Sequence, residues 1–320
     1  MFERAVGCQR GDLSRSGPLR RSFVVPVCEQ VGFAGETGKL AGHLFLPDAD
    51  EAAPVAAVVV AGTWTSVKEQ MADRYAEELA RRGFAALSFD FTGYGESDGV
   101  PRDYESPALK VRDLRAAADF LATHPAVGEG ELGVLGVCAG AMYASAFAAE
   151  ESRVRSLALV APWLHDRRIC EENYGGPEGI EAKKAAAAAA RRRYEVSGEV
   201  VYVPVVSGSD PDAAMPFAID FYLTPERGGI PQWPNRYAVM AWSEWLDFDA
   251  VAIAPRVTAP TLLVHSEDAA IPDGARRFHA GLAGPRAFLW TEGDQFDFYD
   301  QPRQVGLAAG AAAEHFARTL

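Results

Sequence analysis

The run Leu132-Gly133-Val134-Leu135-Gly136-Val137-Cys138-Ala139-Gly140-Ala141-Met142 reads as a buried strand, a sharp turn and the start of a helix. A G-x-nucleophile-x-G turn holds its central residue at a strained backbone position, so its neighbours must be small for strand and helix to pass each other. Gly136, Ala139, Gly140 and Ala141 meet that demand. Five residues alone would also suit a buried structural cysteine in an unrelated turn. The apolar strand before them and the alanine-rich helix after them favour the nucleophile. At a helix N-terminus Cys138 would face unpaired N–H groups and the positive dipole end, and both favour thiolate.

Strand and helix signals alternate through most of the chain, which predicts a mainly parallel sheet. Residues 23–31 and 39–46 read as an opening strand pair around Gly35-Glu36-Thr37-Gly38. Residues 55–61, 85–89, 132–137, 156–161, 261–265 and 287–290 read as further strands. Helices are expected over 71–82, 109–124, 139–150 and 304–320, the last with Val305, Ala308, Ala312 and Phe316 inward. Residues 162–255 break the alternation with an alanine run and many aromatic residues, Phe217, Phe221, Tyr222, Trp233, Tyr237, Trp242, Trp245 and Phe248. They read as a mostly helical cap inserted in a core of residues 22–161 and 256–320. The cap aromatics serve either a pocket or the cap's own core. Residues 1–21 read as a loose tail. Arg20-Arg21 resembles a twin-arginine signal, but the apolar stretch behind it ends at Cys28 and is too short for export.

The 320 residues suit one large domain carrying an insertion. The net charge of −13 repels nucleic acid and anionic membranes and fits a small neutral or apolar substrate. No stretch is long and apolar enough to span a bilayer. Cys8, Cys28, Cys138 and Cys170 form no CxxC pair and no cluster with histidine, which suits a reduced, cytoplasmic setting. No HExxH, phosphate loop or EF-hand loop is present, so neither a metal nor an organic cofactor is expected. Gly93-x-Gly95-x-x-x-Gly99 resembles a dinucleotide loop, but Val100-Pro101 stands where a helix should begin. A homodimer is left open.

The elbow and this order of elements resemble the α/β-hydrolase superfamily over residues 23–320, the cap excepted. Ala61-Gly62-Thr63-Trp64 is similar to the strand-end loop that donates an oxyanion-hole N–H. Asp90-Phe91-Thr92-Gly93-Tyr94-Gly95-Glu96-Ser97 is similar to the family's D-x-x-G-x-G-x-S loop, and the segment from His265 to Pro272 to its acid loop, with Asp268 as the acid. Cysteine at the elbow is shared with dienelactone hydrolases and polyhydroxyalkanoate synthases. The chain looks most like a dienelactone-hydrolase-like or peptidase-like branch. The resemblance implies an α/β-hydrolase fold, an eight-stranded mainly parallel sheet flanked by helices. It also implies a Cys138 nucleophile that attacks an ester, thioester or lactone and forms an acyl-thioester. The N–H of Ala139, with that of Thr63 or Trp64, would hold the oxyanion.

One departure cuts across that scheme. The family's histidine follows the last strand, and here Thr291-Glu292-Gly293-Asp294-Gln295-Phe296-Asp297 has none. Gln295 stands at or beside the expected position, and glutamine cannot take and return a proton near neutral pH. Another histidine could substitute, His165 first and His265 second, against the alternative that either is a polar strand-end residue with no catalytic duty. Donors alone could ionise Cys138, giving an acyl-cysteine that favours transfer, cyclisation or elimination over hydrolysis. The site could also bind a ligand without catalysis. Lys68 and Glu69, just after the oxyanion loop, either reach the site or begin an exposed helix.

Overall fold

The longest apolar runs of the sequence become the inner strands of one sheet, where both faces are buried and alternation is not needed. The computed structural model describes residues 26–47 and 54–320. The expected tail, Cys8 and the start of the first expected strand lie outside those residues. The strands are β1 (Val27–Ala34), β2 (Lys39–Leu46), β3 (Val55–Ala61), β4 (Ala85–Phe89), β5 (Val127–Val137), β6 (Val154–Val160), β7 (Tyr202–Val203), β8 (Tyr237–Ala238), β9 (Thr261–Ser266) and β10 (Arg286–Thr291). Eight of them form the sheet β1-β2-β4-β3-β5-β6-β9-β10, and β7 pairs with β8. Only β2 runs antiparallel to its neighbours; every other pair in the large sheet is parallel. This is the eight-stranded, mainly parallel sheet expected from the sequence.

The helices are α1 (Ala72–Ala80), α2 (Pro107–Ala122), α3 (Gly140–Glu150), α4 (Arg167–Asn173), α5 (Gly176–Ser197), α6 (Asp220–Leu223), α7 (Trp242–Asp247), α8 (Pro272–Gly281), α9 (Asp297–Asp300) and α10 (Pro302–Thr319). α1 packs with α10, and α2 with α3, so helices cover the sheet. The expected inward residues Val305, Ala308, Ala312 and Phe316 are all buried, as are Tyr75 and Leu79 of α1 and Leu114 and Leu121 of α2. α2 starts where Ser106 caps it, its side chain accepting from the Leu109 N–H, with Pro107 in the first turn.

Two strand boundaries and one helix differ from the sequence reading. β1 runs on to Ala34 and β5 begins at Val127, with a register irregularity at Leu132/Gly133 that hid its first half. α8 was not expected, because only Gly274, Ala275 and Phe278 are buried within its polar sequence. The alanine run lies in α5, which buries only Ile180, Ala187 and Ala190 and so owes its helix to propensity. Between β6 and β9 the chain forms α4 to α7, the β7–β8 pair and two 3₁₀ turns. No helix among the described residues is long and apolar enough to cross a membrane.

Candidate active site

β5 ends at Val137 and α3 begins at Gly140, so Cys138 takes the whole turn, at φ +52°. A non-glycine residue holds that left-handed conformation only where its surroundings fix it. Its N–H donates to Val160 O at 3.0 Å, and its carbonyl accepts from Trp163 N at 3.0 Å and Ala141 N at 3.1 Å. The glycines are required by contact. A Cβ on Gly140 would lie 2.3 Å from Ala61 O, and one on Gly136 2.6 Å from Ala141 Cα.

Cys138 opens into a cavity of about 420 Å³. Its walls include Trp64, Trp163, Tyr174, Tyr222, Trp245 and Tyr299, with Thr63, Ala139, Asp268 and Gln295 among the remaining lining residues. No histidine is among those lining residues. The sulfur faces the Thr63 and Tyr299 hydroxyls, the Ala139 N–H and the Gln295 amide. Burial pushes the thiol pKa above its ordinary value, and those four donors oppose it without prevailing. The helix-terminus N–H expected to favour thiolate does lower the pKa, but burial outweighs it. The Trp64 N–H meets no acceptor among the described residues.

Gln295 is beside the sulfur and is held at both ends. Its Nε2 donates to Ala161 O at 2.9 Å and to the Tyr299 hydroxyl at 3.3 Å, and its Oε1 accepts from Ala270 N at 2.9 Å. Asp268 lies exposed on the cavity wall, and the hydrogen bonds of Gln295 go elsewhere.

Neither candidate replacement histidine reaches the cavity. His165 is buried behind Trp163: its Nδ1 accepts from Trp163 Nε1 at 2.8 Å, and its Nε2 meets Trp245 O at 3.1 Å. Burial pushes its pKa down to about 4. Both ring nitrogens are committed to packing, which corrects its reading as the base. His265 stacks on Trp290, with Nδ1 at 2.8 Å from the Ser266 N–H and carbonyl, and is likewise not a lining residue.

Lys68 and Glu69 do not reach the cavity either. The Lys68 ammonium lies within 2.8 Å of Asp90, 2.8 Å of Glu69 and 2.7 Å of Glu96. Burial works against that charge, yet the carboxylates raise its pKa above the ordinary lysine value. Asp90 also accepts the Lys68 N–H at 2.8 Å, so the D-x-x-G-x-G-x-S loop braces the segment after β3.

The sequence reading missed two groups. Tyr299 follows Gln295 by one helical turn, a spacing that could have suggested it. Glu105 is buried and accepts the Thr65 N–H at 2.9 Å and the Tyr94 hydroxyl at 2.8 Å. It also binds the Tyr143 hydroxyl and lies 2.7 Å from the Lys110 ammonium, linking the loop after β3 to α3. No local pattern marks it. The cap aromatics divide: Phe217, Tyr222 and Trp245 line the cavity, while Tyr237 and Trp242 pack around Trp64.

Sheet order, the strained cysteine between β5 and α3, and the loop after β3 together define an α/β-hydrolase fold. The chain belongs to the alpha/beta hydrolase family, whose model matches residues 57–306. It is 30% identical to PA2218 of Pseudomonas aeruginosa over 89% of this chain and 80% of that protein. The crystal structure of PA2218 superposes with a TM-score of 0.80, covering 98% of this chain and 99% of the other. The polyketide transferase grgF of a Penicillium species is 26% identical over 66% of this chain and 70% of its own. The thiohydrolase aneE of Aspergillus aculeatus is 30% identical over 53% of this chain and 52% of its own length.

Proposed function

We propose that this chain is an acyl-transfer enzyme in which Cys138 takes an acyl group from a small apolar or aromatic thioester. The acyl group then passes to an acceptor other than water. The observation that carries this reading is a nucleophile-elbow cysteine in an aromatic cavity whose lining residues include no histidine. A thioester donor suits such a site. Sulfur attacks the carbonyl carbon and the new C–S bond forms. The Ala139 and Trp64 N–H groups stabilise the oxyanion, and the donor's C–S bond breaks. The small thiolate fraction of Cys138 attacks, its proton having gone to solvent, and the departing thiolate takes a proton back from solvent, so the exchange balances without a resident base. Esters and lactones release a more basic alkoxide and suit the site less. Removal of one oxyanion donor in such sites typically costs about 3 kcal/mol of transition-state stabilisation. Two relatives named as a thiohydrolase and a polyketide transferase agree with acyl chemistry at a thioester.

Hydrolysis of the same acyl-cysteine is the second reading, favoured by the Asp268 carboxylate on the cavity wall. Intact-protein mass spectrometry with a panel of acyl thioesters tests both. The wild type should gain one acyl mass that Cys138→Ala does not. The adduct should persist in buffer and decay on addition of an alcohol, amine or thiol acceptor. Rapid decay in buffer alone would select hydrolysis. Full turnover by Cys138→Ala, or no adduct from any donor, would overturn the cysteine mechanism and point to a binding protein.

A further inference from the structure

β10 is the last strand of the large sheet, and no described residue pairs with its outer edge. The Thr261 N–H donates to Pro285 O, which sets the alternation of the parallel β9–β10 ladder. Odd-numbered residues of β10 therefore bond β9, and the N–H and C=O groups of Arg286, Phe288 and Trp290 point outward. Natural sheets blunt a free edge with lysines, prolines, bulges or very short strands. β10 has six regular residues with Arg286 as its one charged side chain, and its exposed side chains include Trp290, 36% accessible. The opposite edge, β1, carries Glu29 and Gly32.

We propose that two copies of this chain join β10 to β10, antiparallel, about a two-fold axis. An axis perpendicular to the sheet keeps side chains on their own faces, so residues directly opposite must both be odd or both even. Centring the axis on Leu289 places Phe288 opposite Trp290 and Arg286 opposite Glu292 of the second copy. Ala287 then meets Thr291, and Leu289 meets its own equivalent. Outward-facing Phe288 and Trp290 meet each other, as a hydrogen-bonded antiparallel pair requires, and outward-facing Arg286 meets Glu292, one residue past the end of β10. The neighbouring registers keep that parity but lose the Phe288–Trp290 and Arg286–Glu292 pairs. Centring on Phe288 sets Arg286 against Trp290, and centring on Trp290 sets Phe288 against Glu292. Aromatic pairs and opposite charges directly across an antiparallel pair are the stabilising combinations, and like charges there are destabilising. The strand is thus complementary to itself in one register; both charged residues are exposed, and the pairing exchanges surface contacts they now make, Arg286 to Leu282 O at 3.0 Å and Glu292 to Arg303 at 3.5 Å.

Analytical ultracentrifugation of the full chain across a dilution series should show a monomer–dimer equilibrium. Arg286→Glu and Glu292→Arg each place like charges opposite one another twice per dimer and should each weaken the dimer about tenfold. The double variant Arg286→Glu/Glu292→Arg should recover the wild-type constant to within about threefold, a recovery that misfolding cannot mimic. In hydrogen–deuterium exchange the Phe288 and Trp290 amides should be protected in the dimer and open in the monomer. A monomer at every concentration would overturn the proposal. So would a dimer indifferent to the charge variants. Protection of the β10 amides in a monomeric sample would overturn it as well, and would assign the edge to another part of the chain.

Discussion

Cys138 carries two opposed effects, and their balance fixes how the enzyme should respond to pH. Burial raises its thiol pKa, while Thr63, Tyr299, Ala139 and Gln295 lower it, and burial prevails. Below a raised pKa the thiolate fraction, and with it the reaction rate, grows about tenfold per pH unit. Alkylation of Cys138 by iodoacetamide should therefore climb steadily from pH 7 to about 8.5, the ordinary thiol value, with no plateau before it. Peptide-resolved mass spectrometry separates this reaction from that of the exposed Cys28. A plateau below neutral pH would show that the donors win. A second residue-scale prediction concerns Gln295. Gln295→His puts a base beside the sulfur, and the acyl adduct should then hydrolyse about 10²-fold faster or more, read as its decay in buffer. An unchanged decay would show that the site cannot orient an imidazole. Cysteine, its small neighbours and the missing histidine were legible because each is a local pattern. The true surroundings of Lys68 and His165 were not. Each is fixed by a partner far along the chain: Asp90 for one, Trp245 for the other.

Helices and strands were legible wherever burial is one-sided or complete, as in β3, β4, α1 and α10. α8 escaped because three small or aromatic contacts suffice to anchor it against the core. At this scale the glycines divide by what surrounds them. Gly140 sits against Ala61 O and Gly62 O, both backbone atoms of the strand end that leads into the oxyanion loop. Gly140→Ala should cost about 1–3 kcal/mol of stability through forced displacement of that backbone, and should slow acylation as well. Gly306 lies inside α10 with nothing within 4 Å of an added Cβ. Gly306→Ala should instead stabilise by about 0.5–1 kcal/mol, because alanine loses less backbone entropy in a helix. Urea denaturation of the two variants beside wild type checks both signs. A neutral Gly140→Ala would mean the elbow tolerates a Cβ and that its glycines are not a steric requirement.

Across the whole molecule, the chain between β6 and β9 is tied into the core by groups that also build the cavity. Trp233 Nε1 donates to Thr65 O at 2.9 Å, and Gln70 Nε2 to Gly228 O at 2.8 Å, so the segment between β3 and α1 holds the chain between β6 and β9 at two points. Arg227 grips Asp300 at 2.5 and 2.7 Å, one residue beyond Tyr299. Arg236 grips buried Asp103 at 2.7 and 2.5 Å. Trp64 of the core stacks among Tyr237, Trp242 and Trp245 of the insertion. The sequence showed those aromatic residues but could not divide them between pocket and packing, because the same cluster does both. An insertion held this way has no separate core to unfold around, so it and the sheet should melt as one unit. Thermal unfolding followed by near-ultraviolet and far-ultraviolet circular dichroism should give coincident transitions. The aromatic signal reports the tryptophan cluster, and the far-ultraviolet signal reports the sheet and its helices. If the aromatic signal were lost well before the helical one, the insertion would be an independently mobile lid. The cavity around Cys138 would then be only one of its states.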